Sequence, residues 1–175
     1  LGDVYKRQEE YNIPGMKVLQ QRIPDSEEGL PYLGDSDVVD KKSLFDEASD
    51  DYFEETHPKD WEFSLAAYTG THDSPTTKEW FDEINKSKYE NFLDYSQTLH
   101  NKFDNDVWNF ISLVWESNCQ LAITTVQDLL KLDSQARFNI PGTSENNWIW
   151  RLDNFESLKS VTDSLRALNH STNRN

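Results

Sequence analysis

The stretch Phe63-Ser-Leu-Ala-Ala-Tyr-Thr-Gly-Thr-His-Asp-Ser-Pro-Thr-Thr77 decides the fold that this sequence predicts. Its first part, up to Thr69, is an apolar run with the length of a strand that is buried on both faces. Gly70 to Thr77 follow as a polar loop, and Ser74-Pro75 begins a helical pattern, because proline suits the first turn of a helix. A buried strand, a polar loop and a helix form the repeating unit of a parallel α/β fold.

Two further strands are predicted on either side of this unit. Met16-Lys-Val-Leu-Gln20 follows the turn signal Pro14-Gly15, and Leu121-Ala-Ile-Thr-Thr-Val126 is rich in β-branched residues. Helical spacing of apolar residues separates the second and third strands, and a last amphipathic helix covers about 158–168. The sequence thus predicts an α/β class. Three strands cannot close a barrel, so we expect either the last part of a (β/α)8 barrel or a small open three-stranded α/β sandwich.

Composition limits the kind of protein and the kind of partner. The 175 residues suit one domain, and an aromatic content of 13% indicates a packed core. The single cysteine, Cys119, is typical of a reducing compartment, so we expect a cytoplasmic protein. No apolar run approaches the length that crosses a bilayer, so no membrane partner is expected. The net charge of -15 argues against a nucleic-acid partner, since phosphate binding needs clustered Lys and Arg.

Much of the negative charge lies in one segment. From Asp25 to Glu62 there are fourteen Asp and Glu residues and three Lys, without a sustained helical or strand period. We interpret residues 25–60 as an acidic insertion, a solvated loop rather than a surface for a cation or a basic partner. The polar residues 170–175 are expected to form a disordered tail.

All three predicted strands end in polar residues, namely Gln20, Thr71-His-Asp73 and Gln127-Asp128. The carboxyl ends of parallel strands carry the functional site of such folds. Asp73 beside His72 is therefore a candidate for acid, base or transition-state chemistry. Spacing alone leaves a second reading open, in which Asp73 caps the following helix.

The other candidates also have two readings. His72 alone is more typical of a hydrogen-bonded structural residue, and no spacing predicts a metal site. Arg137 and Asn139 present planar donors and acceptors suited to sugar hydroxyls, or they hold their own loop together. Trp61, Trp148 and Trp150, like other aromatic residues, either stack on sugars or fill the core. No motif for a cofactor is found, so none is expected.

Five motifs in order resemble those of the 4-alpha-glucanotransferases, glycoside hydrolase family seventy-seven, which includes amylomaltases and disproportionating enzymes. They are Ile13 to Gln20, Tyr68 to Thr77, Val126 to Leu130, Ser134 to Thr143 and Asn147 to Arg151. The resemblance implies a (β/α)8 barrel, of which residues 1–175 are expected to be the carboxyl-terminal part with roughly the last three strands. The rest of the barrel is then the partner that the chain lacks.

The resemblance also implies an activity and its residues. Members transfer alpha-1,4-glucan segments between maltooligosaccharide, starch or glycogen chains by a retaining double displacement, without a cofactor. Asp73 matches the catalytic carboxylate that stabilises the transition state, His72 its companion in substrate binding, and Asn139 a position that contacts the glucan. The nucleophile and the acid/base of the family lie on earlier strands, so the chain alone is expected to be inactive.

The sequence departs from the family pattern at two places. Asp3 to Gln8 do not continue it after Leu1-Gly2, which leaves their origin open, and Gln21-Arg22 replace an aromatic and a small residue. Two rival functions are a glucan hydrolase of the alpha-amylase clan and a non-catalytic carbohydrate-binding module.

Overall fold

The computed structural model describes residues 10–11, 13–24 and 57–174. Three parallel strands form one sheet in the order β1 (Met16–Val18), β2 (Ala66–Tyr68) and β3 (Leu121–Ile123). The predicted parallel α/β class is confirmed. Each strand is shorter than the sequence predicts. The last predicted residues of β1 and β3 belong to the 3-10 turn or helix cap that follows, and β2 begins only at Ala66, after a turn at Phe63 and Ser64.

Within the described ranges, five helices follow the strands or connect them, and Glu10 and Tyr11 before β1 are also helical. The five helices are α1 (Thr77–Glu83), α2 (Lys86–Gln97), α3 (Asp106–Trp115), α4 (Val126–Leu129) and α5 (Glu156–Ser171), with 3-10 turns at Leu19–Gln21, Pro58–Asp60 and Ser134–Ala136. A Thr or Asn side chain accepts a hydrogen bond from a first-turn N–H at the start of each of the first four helices. Among the helices of the described residues, none is both long and apolar enough to cross a bilayer.

The core lies between one face of the sheet and helices α1, α2 and α3. Every residue of α3 from Val107 to Trp115 is buried, and Ala67 of the central strand packs against this layer. The ring of Phe110 lies 5.0 Å from that of Trp80 and 6.0 Å from that of Phe92. These contacts place α1 directly against the core, so the loop between β2 and α1 has a rigid support at both ends.

The last residues differ from the expected disordered tail. Helix α5 continues through His170 to Ser171. The guanidinium of Arg174 then donates hydrogen bonds to the carbonyl oxygens of Trp115, Ser117 and Cys119, at 2.7 to 2.9 Å. The polar composition of residues 170–175 predicts disorder, but it does not reveal that Arg174 binds carbonyl groups of the residues just before β3.

Most of the predicted acidic insertion, residues 25–56, lies outside the described residues. Its last part is folded onto α2. Pro58–Asp60 form a 3-10 turn, and the Lys59 ammonium donates to the carbonyl of Thr98 at 2.8 Å. Trp61, which follows, is fully buried in the core.

The carboxylate of Glu116 organises the turn between α2 and α3. It accepts hydrogen bonds from the backbone N–H groups of His100, at 3.0 Å, and of Asn101, at 2.8 Å. Its side chain is only 7% exposed. Burial alone would raise the pKa of Glu116, but these N–H donors and the side chains of the same two residues outweigh it and lower that pKa below its ordinary value.

We expect Glu116→Gln to lower the free energy of unfolding at pH 7 by about 2 kcal/mol, because an amide group offers one acceptor where two are needed. A lowered folded-state pKa means that the carboxylate stabilises the fold above the unfolded-state pKa of about 4.3, and that this contribution disappears as the pH falls further. Urea denaturation at pH 7 and pH 3 measures both.

The matched control is Glu156→Gln, whose carboxylate is exposed and pairs only with Lys159. It should change stability by less than about 0.5 kcal/mol. An equal loss for Glu116→Gln at both pH values would contradict the assigned role of the charge.

Candidate active site

The loop between β2 and α1 is held by hydrogen bonds within its own turn. The Thr71 N–H donates to the Ser74 hydroxyl at 3.0 Å, and the Ser74 N–H donates to the Thr71 carbonyl at 3.1 Å. The side chains of Gln20 and Ser74 pack closely against the backbone of Gly70. A Cβ at this position would lie 3.1 Å from both Gln20 Nε2 and Ser74 Cβ, which favours glycine. The residue at the tip of this turn, Asp73, is thereby held in one orientation of the backbone.

The structure brings together the three residues that the sequence nominates. Asp73 Oδ1 accepts a hydrogen bond of 2.6 Å from Asn139 Nδ2, and Asp73 Oδ2 lies 3.4 Å from His72 Nε2. The side chains of Asp73 and His72 are 50% and 56% exposed. The N-cap of α1 is Thr76, whose hydroxyl accepts from the Glu79 N–H. Asp73 therefore does not cap the helix, and its carboxylate faces solvent.

Arg137 joins the loop before Asn139 to the loop that carries Asp73. Its Nη1 contacts Glu79 Oε1 at 3.2 Å, its Nη2 donates to the Asp73 carbonyl at 3.3 Å, and its Nε donates to the Asn139 carbonyl at 3.1 Å. Both partners of the ion pair are mostly buried. A structural role of Arg137 is supported by hydrogen bonds from all three of its side-chain nitrogens, and the residue also lines the cavity beside His72.

Two of the three candidate tryptophans lie beside the site. The ring centroid of Trp148 is 5.1 Å from that of His72 and 4.8 Å from that of Phe138, and Trp148 is 51% exposed. Its φ of 63° is in the left-handed region, which is unusual for a bulky residue. Trp150 lines a cavity of about 270 Å³ together with His72 and Phe138. Trp61 belongs to the core instead.

The polar residues that end the two outer strands are buried rather than open. Gln20 Nε2 donates to the carbonyl of Pro75 at 3.1 Å. Asp128 is 2% exposed, and its two carboxylate oxygens accept from the Thr69 hydroxyl and the Thr77 N–H, both at 2.7 Å. Burial raises the pKa of Asp128, although these two hydrogen bonds act in the opposite direction. Among the described residues that end the three strands, the carboxylate presented to solvent is therefore that of the middle strand.

Sequence reasoning missed the roles of Glu79 and Asp128. The Thr76-to-Glu79 spacing is a recognisable capping-box signal, and the side chain of Glu79 does bind the Thr76 N–H. For Asp128 the only signal is a pair of threonines, Thr69 and Thr77, at the two ends of the loop. Within the part of the chain that the structure describes, no group of three or more His, Cys, Asp or Glu residues is placed to hold a metal ion.

Comparison with known proteins gives one consistent family. The family model for 4-alpha-glucanotransferase matches residues 2–157. The 4-alpha-glucanotransferase of Synechocystis is 33% identical over 150 residues, which are 85% of this chain and 24% of that protein. The 4-alpha-glucanotransferase of Thermus thermophilus is 30% identical over 98% of this chain and 30% of its own length. The chain thus spans about a quarter to a third of these relatives.

A solved structure shows the same fold. The amylomaltase from Streptococcus agalactiae, solved in complex with acarbose, superimposes with a TM-score of 0.72 and 22% identity. The match covers 98% of this chain and 30% of the amylomaltase. The prediction of a partial (β/α)8 barrel, rather than a complete small sandwich, is confirmed.

We expect Arg137→Lys to lower the free energy of unfolding by about 2 kcal/mol, because an ammonium group cannot contact Glu79 and two carbonyl groups with the geometry of a guanidinium. Chemical denaturation of this variant, of Glu79→Gln and of the double variant measures the coupling between the two side chains. The coupling should be about 1 kcal/mol or more.

Arg166→Lys is the matched control, because Arg166 pairs with Asp163 on the exposed surface of α5. Its effect should stay below about 0.5 kcal/mol. Strict additivity of the Arg137 and Glu79 variants would show that the pair does not hold the two loops together.

Proposed function

This chain belongs to the 4-alpha-glucanotransferase family, and we propose that its Asp73 is the transition-state-stabilising carboxylate of a retaining 4-alpha-glucanotransferase. The observation that carries the proposal is the position of Asp73. It is the solvent-facing carboxylate at the end of the central strand, oriented by Asn139 and adjacent to His72. The proposed substrates are alpha-1,4-glucans, namely maltooligosaccharides, starch or glycogen.

The proposed role follows from the charge of the transition state. A retaining transfer passes through an oxocarbenium-like ring that carries positive charge. A carboxylate held beside that ring stabilises the charged state more than the neutral ground state, and such differential stabilisation raises kcat. Asn139 binds Asp73 Oδ1, and His72 Nε2 lies 3.4 Å from Oδ2. The exposed side of the carboxylate and these two neighbouring groups would together bind sugar hydroxyls.

We place the glucan chain against the exposed ring of Trp148 and the neighbouring cavity. A pyranose ring has apolar C–H faces that pack on aromatic rings, and its edges carry the hydroxyls that His72 and Asn139 would bind. The support for this placement is the half-exposed Trp148 ring, 5.1 Å from His72.

We propose that the nucleophile and the acid/base residue come from the portion of the barrel that the relatives possess beyond the matched share. A retaining enzyme needs two carboxyl groups about 5–5.5 Å apart on either side of the bond. Near Asp73, Asp128 is buried and Glu79 is paired with Arg137. Neither of these two is free for this chemistry, which supports the proposal that this chain alone is inactive. The proposal includes a cytoplasmic location. The support for it is the single cysteine, which is typical of proteins in a reducing compartment.

In the complete natural chain that carries this sequence, Asp73→Asn should lower kcat for glucan transfer by about 10²–10³-fold, since it removes the charge that stabilises the transition state. Incubation with maltotriose, followed by chromatography of the products, measures glucose release and the appearance of longer glucans. New chain lengths indicate transfer, whereas a net gain of reducing ends indicates the rival hydrolase.

The control is Asp163→Asn on α5, where the aspartate is 96% exposed and pairs with Arg166. Its activity should stay within about twofold of the parent, as for most surface substitutions. An Asp73→Asn enzyme that retains most of its transfer activity would refute the role of Asp73.

Asn139→Ala should lower kcat by about tenfold, because a carboxylate without this amide donor is oriented less precisely at the reacting centre. Asn139 lies at the surface of its loop, so its truncation should leave thermal unfolding almost unchanged. Steady-state kinetics on maltotriose together with a melting curve separates the two effects. A normal kcat in the variant would mean that Asn139 does not orient Asp73.

A further inference from the structure

We propose that Asp128 is a positioning residue of this site, which fixes both ends of the β2–α1 loop and thereby sets where the carboxylate of Asp73 stands. The inference rests on the proposed function for its catalytic consequence. Asp128 itself is buried and does not reach substrate, so its effect is transmitted through the loop.

The two hydrogen bonds of Asp128 lie at the two ends of that loop. Thr69 directly follows the last residue of β2, and its hydroxyl donates to Asp128 Oδ2 at 2.7 Å. Thr77 is the first residue of α1, and its N–H donates to Asp128 Oδ1 at 2.7 Å. One carboxylate thus joins the point where the chain leaves the sheet to the point where it enters the helix.

The position of Asp128 is fixed by residues that directly follow β3. It lies in the first turn of α4, where its N–H donates to the hydroxyl of the N-cap Thr125 at 3.1 Å. The Thr69 hydroxyl also lies 3.0 Å from that of Thr124, the residue after β3. The end of β3 therefore holds the end of β2 through side chains, in addition to the backbone hydrogen bond from the Thr69 N–H to the Ile123 carbonyl at 3.2 Å.

The turn between these two ends is closed by its own hydrogen bonds. These bonds join Thr71 and Ser74, and Asp73 N–H lies 3.3 Å from the Thr71 hydroxyl. With the turn closed internally, the position of Asp73 depends on the contacts that hold the loop from outside, including those of Asp128 at its two ends and those of Arg137 and Asn139 at Asp73 itself. A displacement of about 1 Å at a reacting group is enough to cost about 100-fold in rate.

The choice of a carboxylate is explained by this geometry. A carboxylate has two oxygens that accept at the same time, which suits one hydroxyl and one backbone N–H. Asparagine keeps the size and one acceptor, and its NH₂ group would donate to the Thr69 oxygen. Alanine removes both bonds and leaves the Thr77 N–H buried without a partner, which proteins rarely tolerate.

A residue that only stabilised the fold would behave differently from a positioning residue. Its loss would reduce the amount of folded enzyme, but the kcat of each folded molecule would stay the same. Glu116 provides the matched control, because its carboxylate is buried like that of Asp128. It binds two backbone N–H groups, whereas Asp128 binds one hydroxyl and one backbone N–H. It precedes β3 in the chain, whereas Asp128 follows that strand, so the two lie at opposite ends of the sheet.

The test uses the complete natural chain that carries this sequence, with maltotriose as substrate. Asp128→Ala should lower kcat per folded molecule by about 100-fold with less than about a threefold change in KM, because Asp73 acts mainly on the transition state. Asp128→Asn should recover at least about tenfold of that loss through its remaining contacts. Glu116→Gln should keep kcat within about twofold, despite its lower stability.

A second measurement does not depend on activity. Hydrogen–deuterium exchange of peptides that cover residues 69–78 should be about tenfold or more faster in Asp128→Ala, with unchanged exchange at His100 and Asn101. A normal kcat or an unchanged exchange rate in the loop would overturn the proposal. Absence of transfer by the parent enzyme would refute the proposed function, and the exchange measurement would still decide whether Asp128 holds the loop.

Discussion

The hydrogen bonds that Asp128 accepts from Thr69 and Thr77 connect helix α4 to the end of β2 and to the start of α1. Pairing between the strands alone does not make these connections. In a parallel sheet the carboxyl ends of all strands lie at one edge, so residues there are distant in sequence and close in space. The central strand β2 has a neighbour on each side. Its loop can therefore be held from both, by Gln20 after β1 and by Asp128 after β3. The tip of that loop is left for chemistry.

Arg137 adds a second level of support from the opposite direction. It binds the side chain of Glu79 in α1 and the carbonyl groups of Asp73 and Asn139. One planar guanidinium binds both loops and holds the amide of Asn139 beside the carboxylate of Asp73. In the proposed site this contact therefore needs no further loss of conformational entropy when substrate binds. The buried pair of Arg137 and Glu79 contributes geometry to the site, and its net contribution to stability is secondary.

The sequence predicted the elements and nominated Asp73 for the site, since both predictions depend on local patterns. The alternation of strands and helices, and the polar residues after each strand, led to the correct sheet and to Asp73. What the sequence left open depends on distant contacts. Asp128 and Thr69 are 59 positions apart, so nothing local distinguished this buried carboxylate from the exposed Asp73. The N-cap likewise belongs to Thr76, although an aspartate three positions earlier is an equally common capping residue.

Three carboxylates of this chain have different roles because their surroundings differ. Glu116 organises a turn before β3, Asp128 holds a loop, and Asp73 faces solvent at the loop tip. An exposed carboxylate interacts weakly with a charged ring in water, and the same interaction grows as water is excluded from the site. In the proposed site the described residues supply orientation, and the strength of the electrostatic effect depends on how completely substrate and the rest of the proposed barrel cover Asp73. A stabilising group that is fixed before it is desolvated needs no reorganisation when the charge develops, which is the condition for electrostatic catalysis.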